Sequence, residues 1–186
     1  MPSKSISEKR KKLIEDYYKN KIEGIELLID NVWDPHNVAA VPRTADGLGI
    51  EKINLYYTYN KFPNMKKVGK KSSSSANKWI KFDRVEDIVK FAEVKKKDGW
   101  KIIGADSNKG STRLDEFKFP DKCVIVFGGE KEGLSEEIKK ICDEMIFIPM
   151  TGMVESYNIS VAAAIMMYEV FRQKGKGLKL RKENIL

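Results

Sequence analysis

Cys123-Val-Ile-Val-Phe127 is an unbroken run of five apolar residues that ends directly on Gly128-Gly129. Such a run has no polar face to offer water, so as a strand it needs cover on both sides. Other mainly apolar stretches recur at 25–29, 53–57, 101–105 and 145–148. Between them lie stretches with the three-to-four-residue apolar spacing of amphipathic helices: 6–21, 37–48, 85–97, the segment N-capped by Ser135, and 156–173. Strands alternating with helices predict an α/β fold with a mostly parallel sheet covered on both faces. Residues 79–82 are a further candidate strand, and 60–77, with Pro63, Gly69 and four successive serines, reads as a long loop. Pro42 lies inside the second helix and is expected to kink it or confine it to a first turn.

A chain of 186 residues supports one domain with a real core. The two cysteines make neither a disulfide framework nor a metal cluster, and Cys123 falls in the apolar run, so both are expected to be reduced. No apolar stretch approaches the ~20 residues of a membrane helix. The basic start, MPSKSISEKRKK, lacks the apolar core of a secretion signal. These features predict a cytoplasmic protein with no membrane and no metal. The formal charge is +8, and it is clustered. Residues 61–81 hold seven lysines and no acid; 172–186 hold six basic residues against Glu183 alone; Lys9, Arg10, Lys11 and Lys12 are consecutive. Any one lysine is ordinary solvated surface, but three clusters on one small domain favour a polyanion such as RNA.

Several familiar motifs fail. Gly128-GEKE-Gly133-Leu134-Ser135 has the outline of a P-loop, yet Leu134 replaces the phosphate-binding lysine and Glu130 and Glu132 would repel phosphate. Asp106-Ser-Asn108-Lys-Gly110 begins like a calcium loop, but its glycine is one place early and Phe117 stands where the closing glutamate belongs. His36, the only histidine, offers little basis for a metal site or a catalytic triad. Three other segments carry more: NVAAVPRTADGLGI, VIVFGGEKEGLSEEI and IPMTGMVESYNISVAAAIMMYEV. In the second and third, an apolar strand delivers glycine-rich backbone at its C-terminal end, where open α/β sheets bind ligands. Singly, each has a plainer explanation, with Asn37 and Ser156 as helix N-caps, Arg43 as a surface cation and Glu130 as a turn residue.

Taken together, in this order and near these spacings, the three segments closely resemble the SpoU/TrmH family of RNA ribose 2′-O-methyltransferases, of the SPOUT superfamily, over about residues 25–173. The third segment is most similar to the branch that methylates a guanosine in the tRNA D-loop. The resemblance implies a Rossmann-like sheet whose C-terminal part forms a deep trefoil knot, S-adenosylmethionine bound in that knot, and a homodimer. It divides the chain into a basic helical extension (1–24), the methyltransferase domain (25–173) and a basic tail (174–186). It also implies a catalytic set of Asn37, Arg43, Glu130, Ser156 and Asn158. Backbone at Gly104, Gly128, Gly129, Glu130, Lys131, Ile148 and Ser156 would contact the cofactor. Arg10, Lys11, Arg172, Lys174 and Lys182 would hold tRNA. Pro42 departs from the family, where an aliphatic residue is usual.

The chemistry so implied is in-line methyl transfer to a ribose 2′-hydroxyl, with Arg43 either losing a proton transiently or stabilising the forming alkoxide. Two other readings fit the same residues: a 2′-O-methyltransferase acting on a ribosomal RNA loop, and a noncatalytic RNA-binding assembly factor on the same fold. A dehydrogenase or NTPase is disfavoured by the missing glycine pattern after the first strand and by Leu134.

Overall fold

The computed structural model describes residues 7–65, 78–129 and 131–178. Among these, seven strands form one sheet in the order β3-β2-β1-β6-β4-β7-β5, and every pairing is parallel. The strands are β1 (Ile25–Asp30), β2 (Lys52–Tyr56), β3 (Lys81–Val85), β4 (Lys101–Ala105), β5 (Thr112–Arg113), β6 (Cys123–Phe127) and β7 (Glu144–Phe147). The helices are α1 (Glu8–Lys19), α2 (Pro35–Gly47), α3 (Ile88–Lys97), α4 (Glu136–Ile141) and α5 (Ile159–Lys174).

The continuous apolar strands are explained by cover on both faces. Leu27, Ile29, Ile53, Leu55, Ile103, Ile125 and Phe127 join a core with Val38, Val41 and Ala45 of α2 and Ala163, Met166 and Val170 of α5. Their neighbours Leu28, Ile102, Val124 and Val126 face the other way, onto Ile88 and Ala92 of α3 and Ile138 and Ile141 of α4. Every residue of β6 is buried, as a strand flanked by β1 and β4 and covered on both sides must be.

Where local expectation and structure differ, the causes are local. Residues 81–85, rather than 79–82, form the edge strand β3, whose largely exposed side chains hide it from a search for apolar runs. The two-residue β5 lies in a stretch expected to be loop, and pairs with β7 through Thr112↔Ile146 and Arg113↔Phe147. Pro42 does not confine α2 to a first turn: the helix runs five residues past it. Pro35 opens that helix and Asp34 caps it, accepting from the His36 N–H at 2.8 Å, so the helix begins two residues before the expected 37 and includes His36. Its end is a Schellman turn, with Ile50 N–H on Ala45 C=O at 2.9 Å and Gly49 at a left-handed φ of 78°. Helix α5 starts at Ile159, not 156, because Asn158 is its N-cap. Of the expected 60–77 loop, 60–65 holds no helix or strand and 66–77 lies outside the described residues.

The α1 helix is attached through Tyr17, whose hydroxyl donates to the Trp79 carbonyl at 3.0 Å while the two rings pack tilted at 51° with centroids 4.9 Å apart. Beyond it Ile22 is already in the main core.

Candidate active site

The C-terminal ends of β4, β6 and β7 open into one cleft of about 450 Å³, within the range of small-molecule sites. Its walls are Ala105–Asn108 after β4, Phe127–Gly129 and Lys131–Gly133 after β6, Ile146–Ile148 and Met150 around the end of β7, Glu155–Tyr157, and Ile159, Ala162 and Met166 of α5. Main chain and apolar side chains line its depth, and Asp106, Lys131, Glu132, Lys139 and Glu155 supply charge.

The glycine loop after β6 folds back on itself. Gly133 N–H donates to Gly129 C=O at 2.9 Å, and Gly133 sits at a left-handed φ of 66°. A Cβ on Gly128 would lie 2.1 Å from the Gly133 carbonyl oxygen, so only glycine permits that closure. Ser135 then caps α4 by accepting from Ile138 N–H at 3.4 Å. Below the loop, Asp30 is completely buried at the end of β1, and its Oδ2 accepts the Ser135 N–H at 2.7 Å. Burial pushes the Asp30 carboxyl above its ordinary range, against the hydrogen bonds from Ser135 and Asn31 that pull it back. Tyr56 donates a short hydrogen bond to Glu137 on the same side, and its hydroxyl is raised by burial and by that carboxylate.

Of the expected catalytic residues, the fold brings Asn37 and Asn158 into contact although 121 positions separate them. Asn158 Nδ2 donates to Asn37 Oδ1 at 3.0 Å. The Asn158 Oδ1 is simultaneously the α5 cap, accepting from Ser160 N–H at 2.9 Å and Ser160 Oγ at 2.7 Å. Asn158 lies between Tyr157 and Ile159, both of which line the cleft, and Ser156 lines it too. Arg43 stands apart: it is exposed on α2 and is not part of the cleft wall. Glu130 lies outside the described residues.

The expected cofactor positions divide similarly. Gly128, Gly129, Lys131, Ile148 and Ser156 line the cleft. Gly104 does not: a Cβ there would press on Met145 Sδ and Leu134 Cδ1 on the opposite face of the sheet, so those side chains would have to shift to admit one. Among the expected RNA contacts, Arg10 and Lys11 are exposed on α1, with Lys11 bound to Glu8 at 2.7 Å. Arg172 is held by Glu169 at 2.8 and 2.6 Å, and Lys174 reaches Asp121 at 3.2 Å. Both are therefore engaged within the chain. Lys182 lies outside the described residues. Both cysteines are free, and burial pushes each thiol up to about 12. No group of metal-ligating side chains occurs among the described residues, nor any helix long and apolar enough to cross a membrane.

Sequence reasoning missed Asp30 and Asn31, whose only signal was a polar pair closing an apolar strand. Asn31 takes a left-handed φ of 49° and binds the loop after β2.

With this geometry in place, the sequence profile of the SpoU rRNA methylase family matches residues 24–168. The chain belongs to that family. A tRNA (guanosine(18)-2′-O)-methyltransferase of Aquifex aeolicus is 32% identical over 169 residues, covering 91% of this chain and 79% of that protein. One from Thermus thermophilus is 29% identical over 170 residues, covering 91% and 86%. The crystal structure of the A. aeolicus TrmH/SpoU tRNA modifying enzyme superimposes with a TM-score of 0.83 at 30% identity, over 95% of this chain and 90% of that one. The SpoU family member described here therefore shares both sequence and fold with tRNA-modifying relatives along most of its length.

Proposed function

We propose that this SpoU family member methylates a ribose 2′-hydroxyl of structured RNA from S-adenosylmethionine, and that its substrate is a guanosine in the tRNA D-loop. One observation carries the reading: the 3.0 Å Asn158–Asn37 hydrogen bond ties the first motif segment to the third beside the glycine-lined cleft. The names of the relatives, which specify guanosine 18 of tRNA, support the choice of substrate.

The cleft suits the cofactor. Its volume is adequate, Ile146, Ile148, Ile159 and Met166 offer apolar surface for a purine, and glycine backbone offers hydrogen-bonding edges without side chains in the way. Asp106, Glu132 and Glu155 provide carboxylates for an ammonium group. Bound S-adenosylmethionine supplies an electrophilic methyl group. The residues Gly128, Gly129, Lys131, Ile148 and Ser156 hold it in the cleft, while Asn158 fixes the start of α5 and Asn37 against each other. We assign Arg43 to the 2′-hydroxyl. A guanidinium keeps its charge and presents fixed N–H donors, so its contribution would be electrostatic stabilisation of the alkoxide as the hydroxyl proton passes to water. Glu130 is assigned to orienting this constellation.

Arg43 reaches a cleft only in a homodimer on this reading. It shares an outward stripe of α2 with exposed His36 and Gly47, near the strongly exposed Trp33, and α2 packs beside α5, which exposes Val161 and Tyr168. Pairing through that face would bring Arg43 of one protomer to the cleft of its partner. A monomer by light scattering at micromolar concentration would refute the pairing. The deep trefoil knot belongs to the same proposal. It is supported by the late strands β6 and β7 entering between earlier ones, and by Gln173 of α5 binding Phe117 C=O at 2.8 Å and Phe119 N–H at 3.0 Å.

The decisive experiment is incubation with labelled S-adenosylmethionine and unmodified tRNA transcripts, followed by mapping of the methylated ribose. A ribosomal RNA fragment run in parallel separates the substrate classes. Arg43→Ala should nearly abolish turnover while leaving cofactor binding measurable by calorimetry, and near-normal turnover would remove Arg43 from the mechanism.

A further inference from the structure

Asp30 and Asn31 close β1, are both buried, and bind two different loops. Asp30 Oδ2 accepts the Ser135 N–H at 2.7 Å, at the exit of the glycine loop. Its Oδ1 accepts from Asn31 Nδ2 at 2.9 Å. Among the described residues, Asn31 alone outside glycine adopts a positive φ, a conformation that asparagine tolerates better than most side chains. So turned, its Oδ1 accepts from the N–H groups of Thr58 (2.8 Å), Tyr59 (3.3 Å) and Asn60 (3.5 Å). Its Nδ2 also reaches Thr58 Oγ1 at 3.1 Å, and its carbonyl accepts from Asn60 Nδ2 at 2.5 Å. That same carbonyl oxygen lies where a Cβ on Gly129 would come within 3.4 Å.

One of these loops lines the cleft as far as Gly133. The other leaves β2 and leads through Lys61 into the stretch that carries seven lysines and no acid. We infer that Asp30 and Asn31 are positioning residues that lock the cleft-lining glycine loop to the entrance of the lysine-rich stretch, so that cofactor binding and RNA binding are coupled through the end of β1. The coupling rests on the methyltransferase reading; the lock itself does not. A buried network of this kind works only when every donor has its acceptor. Both Asp30 oxygens accept, and the Asn31 amide donates on one side and accepts on the other.

Exchanging the two side chains tests this directly. In Asp30→Asn one amide faces another, and in Asn31→Asp one carboxylate faces another. In the double exchange D30N/N31D, Asn at 30 accepts from Ser135 and donates to Asp at 31, which still accepts from residues 58–60. Each single variant should raise the KM for S-adenosylmethionine by about tenfold with kcat at saturation within about twofold. Amide exchange should quicken at both Ser135 and Thr58, and the double exchange should return both readouts to within about threefold of wild type. Added tRNA should tighten cofactor binding by calorimetry in the wild type and much less in the single variants, since coupling is reciprocal.

The lock is overturned if either single variant disturbs only its own loop, or if the double exchange behaves no better than the singles. If neither single variant folds, a folded double exchange with normal amide exchange supports the lock, and an unfolded one overturns it. Cofactor affinity indifferent to tRNA in the wild type overturns the coupling. A wild-type chain that binds no S-adenosylmethionine removes the functional reading instead, and amide exchange at the two loops still decides the lock.

Discussion

Asn158 performs two tasks with two atoms of one amide. Its oxygen caps α5 and its nitrogen holds Asn37. Asn158→Asp keeps an acceptor for the cap but sets a carboxylate against the Asn37 oxygen, whereas Asn158→Ala loses both. The alanine variant should lose about 1 kcal/mol of stability in denaturant titrations. The aspartate variant should stay closer to wild type in stability and yet lose most of its methylation rate. Equal rates in the aspartate variant and the wild type would detach this contact from catalysis. Glu169 gives a pH-dependent prediction. Hydrogen bonds from Arg172 hold its carboxyl below the usual 4.5, with burial opposing them. As pH falls, the unfolded chain therefore takes up this proton first, so the stability contributed is complete above about 4.5 and disappears as pH drops through the lower folded value. Glu169→Gln should be less stable than wild type near neutrality, and the gap in melting temperature should narrow below pH 4.5.

Among the elements, the glycine loop tolerates little. Gly128→Ala would force a Cβ against the Gly133 carbonyl oxygen, at a cost of roughly 1–3 kcal/mol, and should abolish cofactor binding in calorimetry. Gly152→Ala meets nothing within 4 Å and should stay within about 0.5 kcal/mol of wild type. The contrast shows what could be read from the chain in advance. Strands buried on both faces were legible because burial leaves a continuous apolar signature, as in 123–127. Edge strand β3 was legible only at its start, within the expected 79–82, because pairing through backbone leaves its exposed side chains unconstrained. In the candidate site, the segments that carry Asn37 and Asn158 stood out in the sequence, and the fold brings those two side chains into contact, with Ser156 on the cleft wall. Asp30 and Asn31 did not stand out, since their partners lie at Ser135 and at 58–60, and nothing in the local pattern records a contact made across the fold. Gly104, expected at the cofactor, lies off the described cleft wall and close to Met145 and Leu134.

At the scale of the molecule, the proposed RNA substrate makes clustered charge the feature to test. Each lysine that meets a phosphate releases counterions, so binding should weaken steeply with salt, by a slope of roughly 0.7–0.9 per contact on logarithmic axes. Replacing Lys66, Lys67, Lys70 and Lys71 together by alanine should flatten that slope by about three in a tRNA filter-binding series if all four meet phosphates. Arg172→Ala should change it little, because its guanidinium is already neutralised by Glu169.

Strand order has a consequence for how this polypeptide is made. The first three strands to leave the ribosome can pair with one another, but β4 neighbours only β6 and β7, both of which follow it in synthesis. The nascent chain must therefore carry an unpaired apolar β4 edge until residue 123 has emerged. Until then the backbone groups and apolar side chains of that strand lack their partners, the condition in which partly made domains are prone to aggregate.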